Sequence, residues 1–176
     1  MWRREIQLGR KLLVGVISDT HDNLPMIERA VKRLNEEDVG LVLHAGDYVA
    51  GFVVPKFKEL RAKLIGVFGN NDGDHEFLKR RFSEDGKLEL RGNFAEVTID
   101  GLRIALMHGG EIELLNASIE GESFDVVVYG HTHVAEIRRK GRTLIINPGE
   151  VCGYVTGRST LALLDTVKKE ARIVDL

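Results

Sequence analysis

The feature that most constrains this chain is the way its short apolar runs end. Five of them stop abruptly at a cluster of polar residues, usually beside glycine. The clusters are Ser18-Asp19-Thr20-His21, His44-Ala45-Gly46-Asp47, Gly69-Asn70-Asn71-Asp72, His108-Gly109-Gly110 and Gly130-His131-Thr132-His133. Continuous apolar runs of this length are typical of buried strands. Because ligands bind at the carboxyl ends of the strands in an α/β sheet, we expect these clusters to meet in one crevice.

The rest of the pattern predicts strands and helices around that crevice. In the first half, strands over residues 12–17, 41–43 and 64–68 alternate with helical periodicity, as in Ile27, Val31 and Leu34 behind an Asn23 cap. This alternation predicts parallel strands joined by right-handed crossovers. Two further helices are predicted from Val53, Phe57 and Leu60 and over residues 74–82, and a fourth over residues 111–118.

The second half of the chain changes to a pattern typical of antiparallel strands. One hairpin is predicted to turn at Asp100-Gly101 and a second, with strands over residues 134–139 and 142–146, at Lys140-Gly141. Single strands are predicted over residues 124–129, 160–164 and 171–174. Parallel units followed by hairpins indicate two sheets packed face to face, with helices outside.

Length and composition exclude several classes of protein. At roughly 150 residues per domain, 176 residues predict a single domain over residues 1–176, with residues 1–10 as an N-terminal extension. A net charge of −2 argues against a nucleic-acid coat protein or a polybasic membrane anchor. The single cysteine, Cys152, excludes an internal disulfide. We therefore expect a cytoplasmic protein with no membrane segment and no stable nucleic-acid complex, and a homo-oligomer stays open.

The polar clusters together supply side chains suited to transition metals. The candidate ligands are Asp19, His21, Asp47, Asn70, His108, His131 and His133. Imidazole, carboxylate and amide groups suit Mn, Fe, Zn, Ni or Co better than a calcium cage. Seven ligands are too many for one tetrahedral ion and fit two ions that share a bridging aspartate. We expect two divalent ions, manganese first, with Ni, Fe, Co, Zn or Mg as alternatives.

These motifs resemble the signature of calcineurin-like metallophosphoesterases. The resemblance runs from Leu13 to about Leu164, and the order and spacing are similar to those of the small prokaryotic phosphodiesterases. It implies an α/β (α+β) fold of four layers, a two-sheet β-sandwich of mixed strands flanked by helices. It also implies hydrolysis of a small phosphate ester by attack of a metal-bridging hydroxide. The implied ligands are Asp19, His21, Asp47 and His133 for one ion and Asp47, Asn70, His108 and His131 for the other.

Two residues depart from the family pattern. The family usually has a histidine that protonates the leaving group at the position of Asn71, whose amide cannot act as a general acid. His75 is a candidate substitute, although a surface position at the start of a helix is the favoured interpretation. Glu150 follows Asn147-Pro148-Gly149, where serine is common in these proteins, and the sequence assigns it no role.

Four other polar residues near the motifs have simpler interpretations. His44 is interpreted as a packed histidine, Cys152 as a small buried thiol and Lys79 as part of a solvated helix face. Asp72 either orients residues of the site or serves the fold alone.

Two alternatives to a phosphodiesterase stay open, and the length of the chain argues against a third. A phosphomonoesterase would use the same site. A non-catalytic scaffold on the same fold, as in retromer-type subunits, would not need the seven ligand positions, all of which are filled here. A DNA-repair nuclease of the superfamily would need a longer chain with an extra substrate domain.

Overall fold

The chain forms two mixed β-sheets that pack face to face, in a computed structural model that describes residues 12–176. The predicted extension over residues 1–10 lies outside these residues. The strands are β1 (Leu13–Ile17), β2 (Leu41–His44), β3 (Lys63–Gly66), β4 (Leu88–Leu90), β5 (Phe94–Ile99), β6 (Leu102–Met107), β7 (Val126–Val128), β8 (Glu136–Lys140), β9 (Thr143–Asn147), β10 (Thr160–Asp165) and β11 (Glu170–Asp175).

The helices are α1 (Leu24–Glu36), α2 (Val54–Phe57), α3 (His75–Ser83) and α4 (Ile112–Glu120), and a 3-10 turn (Gly51–Val53) precedes α2. Two of them begin at side chains that accept a hydrogen bond from the first turn. Asn23 accepts from the backbone N–H of Met26 at 3.4 Å, and Asp74 accepts from Phe77 at 2.9 Å. No helix within residues 12–176 has the length and apolar character needed to cross a membrane.

Each sheet contains a run of parallel strands, four in the first sheet and three in the second. The first sheet has the order β11-β10-β1-β2-β3-β4, in which β1 to β4 are parallel and β10 and β11 are antiparallel to their neighbours. The second has the order β5-β6-β7-β9-β8, in which β6, β7 and β9 are parallel. Each sheet therefore directs several strand ends, and the loops after them, to one edge.

Alternating side chains on the strands divide the core into layers. Val14, Val16 and Leu43 of the first sheet pack with Ile104 and Leu106 of the second between the sheets. The outer face of the first sheet packs against α1, α2 and α3, and that of the second packs against α4. The result is helix, sheet, sheet, helix, so the predicted four-layer fold is confirmed.

Several element boundaries differ from the predictions. The Asp100-Gly101 turn is confirmed, with φ of 49° and 81°, but the second hairpin turns between β8 and β9, one residue later than predicted. Helix α2 has only four residues, although Val53, Phe57 and Leu60 are all buried, so the apolar spacing indicated burial rather than helix length. Strand β4 was not predicted, since three residues at a sheet edge are too short to show alternation.

Candidate metal centre

The loops after the parallel strands of both sheets meet at one edge of the sandwich. Asp19, after β1, lies 3.5 Å from His133, after β7. Asp47, after β2, lies 3.4 Å from His108, after β6. Asn70, after β3, lies 2.9 Å from His131. The structure thus brings all five predicted clusters together, and they come from two sheets rather than one.

Most of the candidate ligands have a left-handed backbone. The φ values are 52° for Asp19, 38° for His21, 61° for Asp47, 66° for His131 and 62° for His133. Non-glycine residues rarely adopt positive φ, and such residues cluster at functional sites. These five residues lie in the loops that follow β1, β2 and β7.

Asp47 lies at the centre of the cluster. Its Oδ2 atom is 3.3 Å from Nε2 of His21 and 3.4 Å from Nε2 of His108. Asn71 donates to both carboxylate oxygens of Asp47, from its backbone N–H and its Nδ2, each at 2.8 Å. Burial alone would raise the pKa of Asp47, but His108 and Asn71 hold that pKa well below its usual range.

The group around Asp19 contains buried polar atoms with unmet bonding capacity. Oδ1 of Asp19 is 3.7 Å from Nε2 of His21 and 3.5 Å from Nε2 of His133. Neither Oδ1 of Asp19 nor Nε2 of His21 has a hydrogen-bond partner, although both are buried. Leaving such atoms unpaired costs about 1–3 kcal/mol each. A cation between the carboxylate and the imidazoles would satisfy them, so these residues fit a divalent metal.

A second group of polar side chains also adjoins Asp47, through His108. Oδ1 of Asn70 is 2.8 Å from Nε2 of His108 and 2.9 Å from Nδ1 of His131. The other ring nitrogen of His108, Nδ1, is 2.8 Å from the backbone oxygen of Ala45. Because a carbonyl oxygen only accepts, Nδ1 of His108 carries a proton, so Nε2 is the nitrogen of this ring that would bind a metal ion once the ring is neutral.

The carboxylates make two of the histidines more basic. The Asp19 carboxylate raises the pKa of His21 against the effect of burial, and Asp47 adds to this increase. Burial opposes protonation of His108, but Asp47 and Asp19 outweigh it and raise the pKa of His108. Protons and metal ions therefore compete for the same nitrogen atoms.

Asp72 and Asn147 hold the loops in place. The Asp72 carboxylate accepts hydrogen bonds from the backbone N–H groups of Asp47, Tyr48, Val49 and Gly69, at 2.6–3.2 Å. Nδ2 of Asn147 donates to the backbone oxygen of Gly130 at 2.9 Å and to Thr132 at 3.0 Å. Asp72 therefore orients the loops of the site.

Glu150 is the residue near the site whose role the sequence did not reveal. It is fully buried, and its Oε2 atom lies 2.8 Å from Nδ1 of His133. Burial would raise the pKa of Glu150, but the hydrogen bonds from Cys152, Thr156 and His133 lower it to about 2. Glu150 comes three residues after the end of β9, a parallel strand, so its position at a strand end was the available signal.

A cavity of about 360 Å³ adjoins the cluster. Asn70, His108 and His131 line one part of it, and Phe68, Met107 and Leu114 supply apolar surface. His75 also lines this cavity, with its ring parallel to that of Phe68 at 3.8 Å.

The remaining residues singled out in the sequence lie outside this cavity lining. Asn71 is bonded to Asp47, as described. His44 is buried and lies between Thr20, at 3.3 Å, and the Gly46 backbone N–H, which donates to its Nδ1 at 3.1 Å, as expected of a packed histidine. Cys152 is a buried free thiol, as expected, and belongs with His21 and His133 to one group of potential metal ligands.

Comparison with known proteins agrees with this geometry. The model of the calcineurin-like phosphoesterase superfamily domain matches residues 12–169. A phosphodiesterase of Methanocaldococcus jannaschii is 42% identical over 163 residues, which cover 93% of this chain and 98% of that protein. A solved archaeal phosphodiesterase has a TM-score of 0.90 at 41% identity and covers 94% of this chain and 100% of its own.

A more distant structure shares the fold alone. Vacuolar protein sorting 29 of Cryptosporidium parvum has a TM-score of 0.64 at 20% identity and covers 94% of this chain and 97% of its own. The family depends on divalent metals, and the carboxylates and imidazoles described above are candidate ligands for them. Because the family model spans most of the chain and the archaeal relative is 42% identical, the chain belongs to the calcineurin-like phosphoesterase superfamily and is a phosphoric ester hydrolase.

Proposed function

We propose that this protein is a phosphodiesterase that holds two divalent metal ions on either side of Asp47. The observation that carries the proposal is the position of Asp47 Oδ2, which lies 3.3 Å from Nε2 of His21 and 3.4 Å from Nε2 of His108. A carboxylate can bridge two cations, whereas each flanking imidazole offers one lone pair. Manganese is the first candidate, with Ni, Fe, Co, Zn or Mg as alternatives.

Each ion is assigned four protein ligands, one of them shared. The first position consists of Asp19, His21, Asp47 and His133. The second consists of Asp47, Asn70, His108 and His131. When bound, two divalent cations would acidify the attacking water and neutralise charge on the phosphoryl oxygens.

The surroundings of the two positions differ, which supports a direction for substrate entry. Asp19 is fully buried, whereas Asn70 and His131 are exposed and line the cavity. The phosphoryl group would therefore approach from the side of Asn70 and His131. Its leaving group would lie against the apolar surface of Phe68, Met107 and Leu114.

The amide of Asn71 supports a preference for esters whose leaving group departs without being protonated. An amide cannot supply a proton, and the Asn71 amide donates to Asp47. Without a general acid, expulsion of an alkoxide loses a rate enhancement of about 10²–10⁴-fold. A diester also carries one negative charge where a monoester near neutral pH carries close to two, and so would bind the cations less tightly. Activated phosphodiesters are therefore the proposed substrate class.

Metal analysis combined with turnover assays tests this proposal. The protein is stripped with chelator, reloaded with Mn²⁺ and assayed on an aryl phosphodiester and the matched aryl monoester. Two ions per chain and faster turnover of the diester are expected. Faster turnover of the monoester would make it a phosphomonoesterase, and absence of turnover with every candidate metal would favour a scaffold.

We further propose a cytoplasmic location, which the free state of Cys152 supports.

A further inference from the structure

Glu150 is a fully buried acidic residue that the ligand assignment leaves unused. We propose that Glu150 is a positioning residue, whose carboxylate fixes the orientation and tautomer of His133 so that Nε2 of that ring faces the first metal position. The inference rests on the proposed function, because it concerns one of the two assigned positions. Glu150 is not one of the seven proposed ligands, but it contacts one of them and carries a charge.

The hydrogen bonds around Glu150 determine which nitrogen of His133 carries the proton. Oε1 of Glu150 accepts from the backbone N–H groups of Val155 and Thr156 at 3.0 and 2.6 Å and from the Thr156 hydroxyl at 2.8 Å. Oε2 accepts from the Cys152 thiol at 3.0 Å and from the backbone N–H groups of Tyr154 and Val155 at 3.1 and 3.2 Å. Donors surround both oxygens, as suits an ionised carboxylate, which only accepts.

The remaining contact of Oε2, with Nδ1 of His133 at 2.8 Å, must then be one in which His133 donates. With the proton on Nδ1, Nε2 of His133 has a free lone pair. That atom faces Oδ1 of Asp19 at 3.5 Å, the oxygen that has no hydrogen-bond partner. A ligating histidine that donates to a carboxylate in this way is held in one orientation and is more basic.

The corresponding contacts in the second position are neutral. Nδ1 of His108 lies against the backbone oxygen of Ala45 at 2.8 Å, whereas Nδ1 of His131 faces the side-chain oxygen of Asn70, itself a proposed ligand, at 2.9 Å. The first position therefore has one more negative charge beside it than its own ligands supply. We expect this position to bind its ion more tightly and to fill before the second.

The test substitutes Glu150→Gln and measures Mn²⁺ binding by calorimetry on chelator-treated protein. Thr156 donates to Oε1 twice, from its backbone N–H at 2.6 Å and its hydroxyl at 2.8 Å, so the amide oxygen should take the place of Oε1. The amide nitrogen, which donates, should then face His133 and favour the opposite tautomer. The tighter of the two binding steps should weaken by about 10–100-fold, while the weaker step stays within about 3-fold. Thr156→Val is the matched control, because it removes a hydrogen bond to Oε1 and leaves the contact with His133. Its affinities should match those of the wild type.

A second measurement does not depend on the folding of the variant. Nitrogen-15 NMR of the imidazole groups in metal-free wild-type protein should show His133 with its proton on Nδ1. A proton on Nε2 of His133, or equal Mn²⁺ affinities in wild type and a folded Glu150→Gln variant, would overturn the inference while leaving the proposed function intact. A wild-type protein that binds no metal would overturn the proposed function and the inference with it.

Discussion

Asp47 is the residue whose replacement tests the shared site most directly. Asp47→Asn replaces a carboxylate that two imidazoles approach within 3.4 Å by a neutral amide, which is a poor bridge between cations. Both positions should lose metal, by more than the roughly 10–100-fold that loss of an outer partner causes, and only trace activity should remain. Metal content and turnover are measured on the folded variant.

Asp38→Asn is the control for loss of a carboxylate. Asp38 is exposed, has φ of 52°, which asparagine tolerates well, and precedes the opposite end of β2. Its metal content and rate should match the wild type. Wild-type metal content in Asp47→Asn would rule out the bridging assignment.

Asn71 tests the link between the missing acid and the substrate class. Asn71→His restores a group that can protonate a leaving oxygen, so turnover of alkyl esters should rise relative to matched aryl esters, and monoester turnover should rise relative to diester turnover. The measurement is the ratio of kcat/KM for each pair of esters.

His75→Ala is the comparison for Asn71→His, since His75 lines the cavity but packs its ring on Phe68. It should change neither ratio by much. Equal ratios in wild type and Asn71→His would refute the role given to position 71, and a collapse of activity in His75→Ala would assign the acid role to His75.

At the scale of elements, the site depends on loops that approach one another so closely that two positions have no room for a side chain. Gly130, after β7, lies so near the β1 loop that a Cβ atom would be 1.9 Å from Ser18 Oγ and 2.7 Å from Asp19 Oδ2. Gly69, after β3, approaches the β2 loop similarly, with a Cβ position 2.1 Å from Asp47 Oδ1. Glycine at these two strand ends is therefore a requirement of the site geometry.

Gly130→Ala should displace the β7 loop and separate His133 from Asp19. Overpacking of this kind costs about 1–3 kcal/mol of unfolding free energy, and metal affinity should fall with it. Gly86→Ala is the control, because a Cβ atom at Gly86 would meet no atom within 4 Å. Its stability should stay within about 0.5 kcal/mol of the wild type. Unchanged metal affinity in Gly130→Ala would show that the loop tolerates the displacement.

The sequence predicted the elements that short stretches of residues determine, and it predicted which strand ends meet. Periodicity gave α1, the Asp100-Gly101 pair gave the first hairpin, and the rule on strand ends gave the convergence of Asp19 and Asp47 with the histidines. It did not give strand β4, which exists because it pairs with β3. Nor did it give the role of Glu150, whose contact with His133 joins loops after different strands, β9 and β7.

At the scale of the whole molecule, the sandwich has an apolar core between its sheets and a group of buried acidic residues at one edge. Apolar residues fill the space between the sheets, and Asp19, Asp47, Asp72 and Glu150 are all buried at the edge where the strands end. Burying several acidic groups so close together is costly unless each is paired. Hydrogen bonds satisfy Asp72 and Glu150, whereas bound cations would compensate Asp19 and Asp47.

The acidic edge predicts how metal-dependent stability changes with pH. Since the pKa values of His21 and His108 are raised in the metal-free fold, their protonation stabilises that fold below about pH 6.5, and this contribution is lost as pH rises through the raised values. Metal binding requires both rings to be neutral, so acid favours the metal-free form.

The increase in Tm produced by Mn²⁺ should therefore shrink steadily from about pH 8 to about pH 5. His44 has the opposite effect on the stability of the fold, because burial lowers its pKa well below the usual range. In acid, His44 is protonated in the unfolded chain before it is protonated in the fold, which destabilises the fold. That effect is common to the metal-free and metal-bound forms, so it cancels in the difference between their Tm values. Thermal unfolding with and without Mn²⁺ across this range measures that difference. A constant increase in Tm down to about pH 5 would show that these histidines do not bind the ion.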